Sequence, residues 1–135
     1  MTLPLTPSQT VGPYFTIGLC RRPENELVPD GVRLVGRLLD GQELPVNDGV
    51  IEGWDAAGRR WGRCGTDAEG RFSFLIAEET SHLEAYVFAR GLLRHQLTRI
   101  YLRDGDPALA AEREDGGYRF DIRLQGDRQT VFFAV

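Results

Sequence analysis

The strongest constraint in this sequence is the alternation at 118–124. There Tyr118, Phe120, Ile122 and Leu124 interleave with Arg119, Asp121 and Arg123. A period of two puts the apolar set on one face of a strand and the charged set on the other. Shorter runs repeat the pattern. Val32, Leu34, Gly36 and Leu38 share one face of Val32 to Asp40, and Gly41 turns the chain. Gly49 to Asp55 sets Val50, Glu52 and Trp54 against Ile51 and Gly53, before a turn at Ala56 to Gly58. Arg71 to Ile76 alternates Phe72, Phe74 and Ile76, and Leu83 to Arg90, Leu97 to Leu102 and Thr130 to Val135 add three more candidates. Seven to eight short strands punctuated by glycine turns predict an all-β fold, a sandwich of antiparallel strands. Only Asp106 to Arg113 reads as helix, with Asp106 as cap, Pro107 at the first helical position and alanines following.

Two segments are too apolar for where they stand. The arm Leu3 to Leu19 carries Pro4, Pro7 and Pro13, which fix φ and withhold donors, so an extended path outside the sheet is expected. Yet it also holds Tyr14, Phe15, Ile17 and Leu19, so it has to lie on its own sandwich or on another chain. The final run, Val131 to Val135, raises the same question at a sheet edge. The division expected is an N-terminal arm over 1–22 and a sandwich domain over 23–135.

Composition removes several function classes. With 135 residues the chain makes one ordinary domain. A net charge of -4 argues against a nucleic-acid partner or an anionic membrane surface. No apolar stretch is long enough to span a membrane, and residues 1–10 lack the basic and apolar regions of a signal peptide. Cys20 and Cys64 fit neither a disulfide framework nor a zinc site, so free thiols in the cytoplasm are the expectation. All 16 basic residues are arginine, the side chain suited to bidentate grip of carboxylates.

Three stretches, in order, resemble one family. Thr6-Pro7-Ser8-Gln9-Thr10-Val11-Gly12-Pro13-Tyr14 looks like the opening of protocatechuate 3,4-dioxygenase α chains. Val35 to Asp40 followed by Pro45 to Ala56 resembles the core hairpin of intradiol ring-cleavage dioxygenases. Phe88 to Gly91, Thr98 to Leu102, Tyr118 to Gly126 and Thr130 to Phe133 resemble the α-chain end. The resemblance implies a β-sandwich. It also implies a hetero-oligomer in which a homologous β-type chain carries Fe(III) on two tyrosines and two histidines. In such an enzyme the α chain completes the pocket for a small aromatic substrate such as protocatechuate, whose ring opens between its two hydroxyls. The α chain contributes its arm and an arginine.

Carried over residue by residue, the ligand set is incomplete. A hard ferric ion wants phenolate oxygens and imidazole nitrogens converging from several strands. The family's His-x-His reads His82-Leu83-Glu84 here, so His82 is a relic position. Trp61 stands nearest the first tyrosine position, and Ala77 to Ser81, where the second tyrosine's loop is cut short, contains none. This implies no catalytic residue and no metal ligand in this chain, and no cofactor bound by it. The family match places substrate contacts at Gly12, Pro13 and Tyr14 of the arm and at Arg90. Trp54 and Trp61 read as packing residues, Asp121 as a cross-strand charge partner and Cys64 as a buried, inert thiol. His82, Glu84, Tyr86 and His95 are an alternative metal grouping to check. Two rival readings stay open: a stand-alone transthyretin-like or carbohydrate-binding-like module without catalysis, and an iron enzyme with altered ligands.

Overall fold

The computed structural model describes residues 2–134; Met1 and Val135, the ends of the expected arm and final run, lie outside the described residues. Nine short strands form two sheets: β1 Val32–Leu39, β2 Val50–Asp55, β3 Arg60–Gly65, β4 Arg71–Ile76, β5 His82–Phe88, β6 Gln96–Tyr101, β7 Glu112–Glu114, β8 Gly117–Arg119 and β9 Ile122–Arg123. One sheet runs β3-β2-β5-β6, and the other runs β4-β1-β8-β7 with β9 also on β1. The buried set of each strand points between the sheets. Leu34, Leu38, Phe72, Phe74, Ile76, Leu83, Ile100 and Ile122 are all buried there. At about 1.5–3 kcal/mol per large apolar side chain removed from water, this layer is what holds the sheets together.

Both edges of the sandwich are tied shut. On one side residues 24–27 bridge the sheets: Arg63 N of β3 donates to Glu24 O (2.8 Å), Leu75 N of β4 to Asn25 O (2.9 Å), and Leu27 N to Leu75 O (2.8 Å). On the other side Ala111 N donates to Tyr101 O of β6 (2.8 Å), just before the chain enters β7. These links occupy edge groups that would otherwise invite another strand.

Several expectations need correction. The main pairings are antiparallel as expected, but β8 and β9 both pair with β1 in parallel. The run 118–124 is two strands because Phe120 N bonds to Val35 O (2.9 Å) and the Asp121 carboxylate, instead of a backbone carbonyl, accepts from Arg37 N (3.0 Å). The expected helix after Asp106 is only a 3₁₀ turn, Pro107–Leu109. Asp106 does cap it, accepting from Ala108 N at 2.9 Å, but Ala110 and Ala111 are drawn off onto Tyr101. Residues 2–12 of the arm have no regular structure, whereas Pro13–Leu19 form a short helix, α1. Pro13 starts it because a first-turn residue needs no N–H and its φ is already helical. The final run contributes one bridge, Phe133 to Leu97, in place of a strand.

Gly36 is where β1 lets the crossing segment pass. A Cβ there would collide with the Phe120 carbonyl oxygen and stand 2.6 Å from Phe72 Cζ. Gly36→Ala is expected to destabilise the fold by about 3 kcal/mol in urea unfolding. Gly18→Ala, which meets nothing within 4 Å, is expected to be neutral or slightly stabilising.

Candidate functional site

The buried alternation of β5 sends Leu83, Ala85 and Val87 inward, which leaves His82, Glu84, Tyr86 and Phe88 on the outer face. His82 lies opposite Tyr101, with ring centroids 5.6 Å apart, and its Nδ1 shares a hydrogen bond with Ser81 Oγ (3.3 Å). Glu84 pairs with Arg99 at 3.5 Å. His95 sits at the far end of the strand against Tyr86 and Phe88, with centroids 6.0 and 5.3 Å away. The six steps from His82 to Phe88 span roughly 20 Å of strand. His82, Glu84, Tyr86 and His95 therefore do not converge. Among the described residues no group of three or more His, Cys, Asp and Glu is arranged to hold a metal ion. The donor set does not fit a ferric ion: the second histidine position is a carboxylate engaged by a guanidinium, and Trp61, on the neighbouring hairpin, has no ligating oxygen.

Trp61 pairs with Trp54 across β2 and β3, so both serve the hairpin; neither is in the core. Arg63 lies over the Trp61 ring at 4.9 Å and pairs with Glu52 at 3.0 Å. Asp121 does act across strands, through the Arg37 amide, and also lies 3.4 Å from Arg119 two residues away. Burial pushes the Cys64 thiol up from its ordinary pKa, and it does the same to Cys20, against a lowering pull from Arg63.

The arm and Arg90 meet at one end of the sandwich. β5 ends in a turn at Gly91, whose φ of +85° is the left-handed region where glycine carries no Cβ penalty. Gly91 N donates to Thr10 Oγ1 at 2.7 Å. Two residues on, Gly12 caps α1 and its carbonyl accepts from Phe15 N at 3.1 Å. Phe15 packs on Phe88 (5.5 Å between centroids), and the Thr16 hydroxyl donates to the Asp48 carbonyl. From the same β1–β2 loop, Asn47 Oδ1 accepts from Arg90 Nη2 at 2.7 Å. Arg90 is exposed, has no carboxylate partner among the described residues, and borders a cavity of about 440 Å³ with Asp40, Val46, Leu92 and Leu124. α1 buries none of its residues. Tyr14 is 80% exposed and Ile17 60%. The arm is thus fastened through Thr10, Phe15 and Thr16 while its tip residues, Gly12, Pro13 and Tyr14, stay open. Thr10 and Asn47 are the fastening residues that sequence reasoning missed; short polar side chains carry no periodic signal.

An alpha chain of protocatechuate 3,4-dioxygenase from Burkholderia cepacia is 34% identical over 195 aligned positions, taking in 99% of this chain and 99% of the relative. The chain belongs to the protocatechuate 3,4-dioxygenase alpha-chain family. The Pseudomonas putida alpha chain is 29% identical over 194 positions, with 97% and 96% of the two chains covered. The aligned positions outnumber the 135 residues here, so both relatives carry segments this chain lacks. No protein-family model matches the chain. Solved dioxygenase structures share the fold. The dioxygenase domain of a dioxygenase carbohydrate-binding protein fusion from Streptomyces sp. SirexAA-E superposes with a TM-score of 0.58 at 20% identity, over 77% of this chain and 88% of that one. Hydroxyquinol 1,2-dioxygenase from Pseudomonas putida DLL-E4 gives 0.55 at 16% identity, over 91% and 63%. This intradiol-dioxygenase sandwich has no helix among its described residues long and apolar enough to cross a membrane.

If Thr10 is the latch, Thr10→Val should raise the rate of limited proteolysis within residues 2–12 severalfold and lower global stability by about 1 kcal/mol or less. Both thiols are half-buried and their pKa values are pushed up, so both should label more slowly with iodoacetamide in the folded chain than after unfolding at the same pH.

Proposed function

We propose that this chain is the iron-less α-type subunit of a hetero-oligomeric intradiol dioxygenase, completing the pocket of an iron-bearing β-type chain. The observation that carries this reading is the pairing of an open arm tip with an unneutralised arginine at one end of the sandwich. Tyr14 is too exposed to be a fold staple, and Arg90 has only the neutral amide of Asn47 as a side-chain partner. The alpha-chain relatives support the assignment, as does the lack of a converging ligand set among the described residues.

On this reading the ferric ion of the partner chain supplies the dioxygen and ring-opening chemistry. This chain binds and orients. The Arg90 guanidinium attracts the anionic substrate, with a carboxylated catechol such as protocatechuate as the first candidate. Its charge also favours ionisation of the ring hydroxyls. Asn47 limits the swing of the Arg90 side chain, and Gly12, Pro13 and Tyr14 wall the slot for the ring. A stand-alone carbohydrate-binding module would need an open aromatic platform, and Trp61, the more exposed tryptophan, has Arg63 over its ring.

The test is co-expression with a β-type chain, followed by iron analysis and turnover of protocatechuate. The two chains should co-purify as an active complex. Arg90→Ala should lower kcat/KM at least tenfold, as expected for loss of a charge-assisted bond of about 1.5–3 kcal/mol, with the iron content unchanged. Failure of the chains to co-purify, or full activity in both Arg90→Ala and Tyr14→Ala complexes, would overturn the proposal.

A further inference from the structure

The outer face of the second sheet carries a feature that the pocket-completing role does not use. On β1 the residues turned away from the core are Arg33, Val35 and Arg37. Val35 is flanked in register by Ser73 of β4 and Arg119 of β8, and Arg37 by Arg71. Four guanidiniums therefore surround one valine and one serine on a chain whose net charge is -4. Together they line an open groove of about 520 Å³ around Val35 and Ser73, whose lining also takes in Cys64 of β3.

The charges in this groove are unevenly compensated. Asp67 is the only carboxylate among the residues lining it, and it is already engaged. Its Oδ2 accepts from Arg71 Nε at 2.9 Å, and its Oδ1 from the backbone N–H groups of Arg71 (2.8 Å) and Glu69 (3.0 Å). Arg71 also reaches Glu69, and Arg119 is paired with Asp121. Arg33 and Arg37 have no carboxylate within ion-pair distance among the described residues. The Arg37 side chain donates only through Nε, to the Glu69 carbonyl at 3.0 Å, which leaves both of its Nη groups free.

We infer that this groove is a second ligand site, one for a small organic carboxylate with a compact apolar body. Free Nη groups on Arg37 and the open guanidinium of Arg33 offer charge-assisted bonds to a carboxylate. Val35 and the half-buried Cys64 offer the apolar contact that a bare inorganic anion does not use, and Ser73 adds a hydroxyl. A concave, largely apolar site with a few converging polar groups is the ordinary form of a small-molecule pocket. The groove shares no lining residue with the cavity beside Arg90, so the two sites are separable by mutation.

The probe is benzoate, titrated into the full-length chain and followed by amide and methyl NMR, with inorganic phosphate as the competing anion. Benzoate should shift the resonances of Val35 and Ser73 saturably. Its apparent Kd at those resonances should rise at least tenfold in the double variant Arg33→Gln/Arg37→Gln and stay unchanged in Arg90→Gln. Arg33 is exposed and Arg37 half-buried, and an unchanged thermal melt of the double variant would confirm that it is folded. Should the double variant fail to fold, Val35→Asp, which sets a like charge against the carboxylate, should give the same loss. An absence of saturable shifts, equal affinity in the arginine double variant, or displacement by phosphate at the same concentration as benzoate would each overturn the inference.

Discussion

The packing of two short-stranded sheets against each other is the interaction on which everything else depends, and it survives only because the sheet edges are tied together. A sandwich of this size has little core to spare, and strands of six to eight residues leave open ladders at each side. Residues 24–27 bond to β3 and β4 at once, and Ala111 carries the chain from β6 to β7. These irregular segments set the spacing of the sheets and so decide which side chains meet at the ends. The arm depends on the same frame. α1 buries none of its own residues, and it is located by Thr10 on Gly91, Phe15 on Phe88 and Thr16 on the Asp48 carbonyl.

That frame keeps the family's sandwich, while no group of three or more His, Cys, Asp and Glu among the described residues is arranged to hold a metal ion. In a His-x-His strand, period two aims both rings at one point. Here the same outer face presents His82 beside Tyr101 and Glu84 beside Arg99, an arrangement of ring contact and charge pairing with no converging donors. The loop before β5 turns the chain, with Thr80 N bonded to Ala77 O at 3.0 Å, and ties it to β2, with the Thr80 hydroxyl donating to Asp55 Oδ2 at 3.1 Å. At the end of the sandwich Arg90 and the arm tip are exposed, and Arg90 has no partner of opposite charge among the described residues.

Much of the fold was legible because alternation survives wherever one face is dry. β1, β2, β4, β5 and β6 fall where period two places them, within a residue or two. β3 was not legible: Arg60 to Gly65 holds two glycines and two arginines, and its strand character comes from pairing with β2 along its whole length. The 118–124 run alternates without a break, yet a side-chain carboxylate takes one ladder bond at Asp121 and divides it. Proline misled in the arm, because the residue that forbids a helix interior is well suited to a helix start at Pro13. At the site, His82 and Glu84 were singled out by the family resemblance, and period two then sets them on one face. Thr10 to Gly91 and Asn47 to Arg90 were not legible, since those bonds join residues 81 and 43 positions apart and only the folded sheets bring them together.

The central claim is a division of labour: the sandwich is built as a frame, and the metal chemistry belongs to another chain. The metal stoichiometry of the purified two-chain complex tests this most directly. The account predicts one ferric ion per pair of chains, retained by the β-type chain when the two are separated, with this chain colourless and iron-free after exposure to excess iron. Two ions per pair, or a visible tyrosinate-to-iron band on this chain alone, would contradict it.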